Sequence, residues 1–103
     1  MRERPWRPQD RQPMQADYLI RHPEDLLSPS LVVFRAVVLK NLDAMQRLAG
    51  SVDRLRPHCK THKMPAIVKL LLDRGITRHK AATIAECEML AGCGVTDIVL
   101  AYN

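Results

Sequence analysis

Aromatic residues make up only 4% of this 103-residue chain, which leaves few platforms on which bases could stack and sets aside a single-strand nucleic-acid reader. Cysteine is just as uninformative as a scaffold. Cys59, Cys87 and Cys93 are odd in number and contain no Cys-x-x-Cys pair, so neither a disulfide framework nor a cysteine zinc cage is expected, and reduced thiols in the cytoplasm are the default. Four glycines form no Gly-rich phosphate loop. The longest apolar stretch, "LVVFRAVVL", is broken by Arg35 and too short to span a bilayer, and the arginine-bearing N-terminus has no apolar signal core behind it. The sequence therefore reads as soluble and intracellular, without a membrane partner.

What is present is ordinary globular composition, 47% hydrophobic and 26% charged, enough to bury a modest core. The net charge of +5 suits an anionic ligand. Part of that excess lies in residues 1–16, where Arg2, Arg4, Arg7 and Arg11 accompany three prolines and no apolar period. This segment is read as a flexible tail, and residues 17–103 as the folded part, opening with a short helical or turn segment in "DYLIRHPEDLL".

From Leu31 the pattern becomes regular. Leu31 to Phe34 has the length and β-branching of a strand, and Val38, Leu42, Met45, Leu48 and Ala49 then recur at helical spacing up to Gly50. A second unit follows: "RLRPHCK" as strand, Pro65 at a helix start, Ile67, Val68, Leu71 and Leu72 as its apolar face, and Gly75 as its stop. In the third, "HKAA" precedes Thr83-Ile-Ala-Glu86, a capping box in which hydroxyl and carboxylate satisfy each other's backbone donors. Ile84, Cys87, Leu90 and Ala91 continue as a buried face, with Cys87 and Cys93 as small packing residues, and "DIVLAY" forms a fourth strand. Strand and helix alternating with short connections predict an α/β fold with parallel strands and right-handed crossovers. The expectation is a partial (β/α)8 TIM-like barrel of about four strands, far short of the roughly 250 residues of a closed one, and cut off after its last strand.

The chemistry gathers in "LRPHCKTHKMP", residues 55–65. Alternation along a strand puts Arg56, His58 and Lys60 on one face and Leu55, Pro57 and Cys59 on the other. A row of cations turned away from the covering helices calls for an anion, water or a change of protonation. Lys60 comes last, at the carboxyl end where ligands of α/β proteins bind. A lysine amine attacks only when neutral, and neighbouring cations favour that form while attracting a phosphorylated aldehyde, which is what Schiff-base chemistry requires. His58 and His62 are four residues apart, a spacing that brings two ring nitrogens together on a helix. Pro57 and the strand pattern oppose a helix there, so no metal site is expected.

These blocks resemble a known family. "LRPHCKTHKMPAIVKLLLDRG" followed by "KAATIAECEMLAGCGVTDIVLAY" is similar to the N-terminal part of the D-threonine aldolase and D-serine dehydratase group, pyridoxal phosphate enzymes of the alanine-racemase-like fold. The likeness covers about residues 26–103, including "LLSPSLVVF". It implies that Lys60 carries pyridoxal phosphate as a Schiff base, that Arg56, His58, Thr61 and His62 lie beside it, and that Thr83, Tyr102 and Asn103 add to the cofactor wall. It also implies a D-3-hydroxy amino acid as substrate, cleaved to glycine and an aldehyde. Loss of the hydroxyl or racemisation are the alternative outcomes in related enzymes. A homodimer and a divalent metal, whose ligands lie outside this sequence, complete what the resemblance implies. Reduced to these residues, the chain is expected to have little activity of its own, and a non-catalytic anion-binding module is the competing reading.

Overall fold

Where a chain cannot pair its backbone with a distant strand, it pairs with itself, and that choice shapes this molecule. The computed structural model describes residues 18–101. The elements are helix α1 (Arg35–Ala49), helix α2 (Pro65–Asp73), strand β1 (Arg78–Ala81), helix α3 (Ile84–Gly92) and strand β2 (Asp97–Leu100). Short 3-10 turns lie at Pro23–Asp25 and Val52–Arg54, the first of them inside the predicted helical or turn segment. The proposed tail, residues 1–16, and the residues Tyr102 and Asn103 lie outside the described residues.

The expected partial barrel of four strands is not what forms. Among the described residues there is one two-stranded parallel sheet, β1 with β2, in which Arg78 faces Asp97 and Ala81 faces Leu100. The predicted first strand finds no partner among the described residues. Leu31 and Val32 stay 64% and 40% exposed, and the Phe34 carbonyl accepts from the amides of Val37 and Val38, both at 3.0 Å, which starts α1 instead of a ladder. The predicted second strand shrinks to a single parallel bridge between His58 and Lys80. Cys59 N–H donates to the Lys80 carbonyl at 3.0 Å and Lys80 N–H to the Pro57 carbonyl at 2.9 Å. Pairing cannot extend through Pro57, which has no amide hydrogen, and beyond Cys59 the chain turns, with Lys63 N–H donating to the Cys59 carbonyl at 2.8 Å.

The helices follow their sequence signals more closely, because their hydrogen bonds are local. α2 starts on Pro65, where the missing amide hydrogen is no loss. α1 gives way at Gly50 with φ 79° and α2 is followed by Gly75 with φ 77°, a region glycine enters without a side-chain penalty. α2 lies between two apolar clusters: Val68 packs with Cys59, Ala81, Leu90 and Val95, while Leu71 packs with Leu42 and Ile76. Arg74, just past α2, reaches across to Asp43 and Gln46 of α1. Three predicted core positions do not join: Leu48 is 89% exposed, Ala91 is exposed, and Ile84 lies outward while Glu86 is buried in its place.

The sheet is thus covered on one side. His79 and Ala81 on β1 are buried, with Ile98 packed on the core, while Arg78, Asp97 and Val99 on the opposite side are exposed. No helix among the described residues is long and apolar enough to cross a membrane.

Candidate functional site

The alternation expected for residues 55–60 does not extend over the segment: Leu55, Arg56, Pro57 and His58 are all half-buried, and only Cys59, buried, and Lys60, exposed in the turn, differ. Arg56, however, is no free cation. Its guanidinium donates to Asp97 Oδ1 at 2.7 Å, to the His79 carbonyl at 3.1 Å and to the Asp97 carbonyl at 3.3 Å. Arg78 Nε adds a second positive charge 3.7 Å from Asp97 Oδ2. These contacts hold the Asp97 carboxyl below its usual range, the Arg56 hydrogen bond being the main cause. They sit at the amino end of the sheet, so Arg56 serves as a clip between the 56–58 segment and β2.

At the carboxyl end the charges are less compensated. The His58–Lys80 bridge places Lys80, which the sequence reading passed over, beside the imidazole on the open side of the sheet. Its signal was available: His58 and Lys80 become neighbours once the two extended segments pair in parallel. Burial, followed by the charges of Lys60 and Lys80, pushes the His58 pKa below 6.5, so the ring is neutral at pH 7. Its Nδ1 accepts from the Lys60 amide at 3.2 Å. Lys60 itself follows in the turn, two residues past the bridge and so beyond the end of β1 in register.

Thr61 and His62 part company with Lys60. They line a depression of about 310 Å³ together with Leu31, Val33, Val38 and Ile67. His62 Nδ1 accepts from the Met64 amide at 2.9 Å, and burial lowers its pKa as well, with His79 adding to the effect. Lys63 has φ 51°, a strained setting for a residue with a β-carbon, and its ammonium lies 3.1 Å from Glu86 Oε2.

Glu86 is the feature that sequence reasoning saw only in part. Half of the expected capping box forms: Thr83 Oγ1 accepts from the Glu86 amide at 3.1 Å, while the carboxylate accepts from the Thr83 hydroxyl at 2.8 Å on Oε2 and from the Ala82 amide at 3.5 Å in place of the Thr83 amide. Yet Glu86 is only 3% exposed, against a surface position in an ordinary cap. The Thr83 hydroxyl, followed by Lys63 and the Ala82 amide, overcomes burial and lowers its pKa to about 2. Its other oxygen, Oε1, receives the Cys59 thiol at 3.5 Å. Burial and that carboxylate push the Cys59 thiol up to about 11. Lys63, Thr83, Ala85, Glu86 and Met89 line a second depression of about 340 Å³. Of the sequence-predicted residues, His58, Lys60 and Thr83 therefore gather around the carboxyl end, Thr61 and His62 turn aside, and Arg56 is committed to Asp97.

No family model, curated protein or solved structure matches the chain. The likeness to the D-threonine aldolase group rests on the residues quoted above.

Proposed function

We propose that this chain supplies the lysine-bearing part of a pyridoxal phosphate-dependent lyase of the D-threonine aldolase type, acting on D-3-hydroxy amino acids in the cytoplasm. What carries the reading is the parallel register: pairing of His58 with Lys80 sets Lys60 just past the strand end, where small-molecule sites of parallel α/β units lie. The donor chemistry fits a phosphorylated aldehyde. Lys60 offers an exposed primary amine, His58 a neutral ring, and Lys80 an adjacent positive charge suited to a phosphate. When bound, the cofactor supplies an electron-withdrawing ring able to take up charge released at the substrate. The chain's own part is to present Lys60 and hold an anionic group beside Lys80, while the paired Arg56 stays structural.

The test is to mix the chain with pyridoxal phosphate, follow absorbance, reduce with borohydride and map the modified peptide. A single adduct on Lys60, lost in Lys60→Ala, supports the proposal. No adduct in a folded sample, or one spread evenly over Lys40, Lys60, Lys63, Lys69 and Lys80, sinks it. The exposure of Lys60 favours one competing reading, a non-catalytic anion site, whose signature is salt-sensitive phosphate binding that survives Lys60→Ala.

A further inference from the structure

We propose that His58, Cys59 and Glu86 form a site for a thiophilic divalent cation of the zinc class. Their donor atoms, from the bridged segment and the first turn of α3, lie within 4.8 Å of one another. The Cys59 Sγ to Glu86 Oε1 distance is 3.5 Å. Metal–sulfur and metal–oxygen bonds of about 2.3 and 2.0 Å at a tetrahedral angle give an edge of about 3.5 Å, so these two ligands need not move apart or together.

The two oxygens of Glu86 divide the work. Oε2 is taken by the Thr83 hydroxyl and Lys63 ammonium, whereas Oε1 has only long contacts, 3.5 Å each, from the Cys59 thiol and the Ala82 amide. The His58 Nδ1 lone pair accepts from the Lys60 amide at 3.2 Å, a bond given up when that nitrogen ligates the ion. Cys59 and Glu86 are buried and His58 is half-buried, so the approach lies on the His58 side. A thiolate, a carboxylate and a neutral imidazole carry two negative charges towards a divalent ion, one of them shared with the Lys63 ammonium on Oε2. The sulfur and nitrogen donors select zinc-like ions over magnesium or calcium. On binding, the thiol proton passes to solvent, one metal–sulfur bond forms, and the ion gives up water while keeping a fourth, open position. No electrons change hands.

Cobalt(II), added to the reduced, chelator-treated chain without pyridoxal phosphate, reads this site independently of the Lys60 proposal. A thiolate-to-cobalt absorption band with about one proton released per ion is expected, with affinity rising about tenfold per pH unit while the thiol remains protonated. Cys59→Ser removes the band, and His58→Ala weakens binding by more than about tenfold. Cys87→Ser with Cys93→Ser leaves the band intact. A folded wild-type chain without the band, or a band that persists in Cys59→Ser, overturns the assignment.

Discussion

Thr83→Ala isolates the most unusual junction of the molecule, where a nine-residue helix begins on a buried carboxylate. The hydroxyl both accepts from the Glu86 amide at 3.1 Å and donates to Glu86 Oε2 at 2.8 Å. Loss of a threonine cap costs about 0.5–2 kcal/mol. Here a loss of about 1 kcal/mol, the middle of that range, is expected, because Glu86 is 3% exposed while Thr83 is exposed and lines a depression that water can enter. Urea denaturation followed by circular dichroism should show a lower midpoint at unchanged slope, and Thr83→Ser should recover most of the loss. The pH dependence gives an internal check. With the Glu86 pKa lowered from 4.5 to about 2 in the folded state, its contribution is complete above about pH 4.5 and disappears as the pH falls towards about 2. Removing the hydroxyl raises the folded pKa, so the deficit of Thr83→Ala should shrink across that window. A deficit that is the same at about pH 6 and pH 3, or a serine variant no better than alanine, would refute the reciprocal cap.

Leu90 is fully buried at the centre of the sheet-side cluster, and Leu90→Ala should cost about 2–5 kcal/mol in the same titration. Ile84→Ala, on the same helix but 57% exposed, should change stability by less than about 0.5 kcal/mol, and equal losses would place the core wrongly. For the clip at the amino end, the lowered Asp97 pKa means a contribution present above the ordinary carboxylate range and lost as pH falls through the folded value. Asp97→Asn should flatten that part of the acid-stability curve, and added salt should shrink the difference. An unchanged curve would remove Arg56 from its structural role.

The helices and their ends were legible in advance because each signal acts within a few residues. Gly50 and Gly75 permit backbone that other residues resist, Pro65 suits a first turn, and Thr83 finds Glu86 three residues on. The alternation expected from Leu55 to Lys60 shows only at its end, where Cys59 is buried and Lys60, already in the turn, is exposed. The strands were not legible, since a strand is made by its neighbour. Leu31 to Phe34 has the composition of a strand and no partner among the described residues, and "RLRPHCK" keeps one bridge because Pro57 cannot donate.

The charges divide along the same line. By itself the sequence determined which residues begin and end helices, because those properties depend on bonds spanning a few residues. Only the tertiary structure decided which cations of the basic run are answered. It brings Asp97, 41 residues away, to Arg56, and buries Glu86 between Cys59 and Lys63. Such pairings depend on distance in space, which local sequence does not encode.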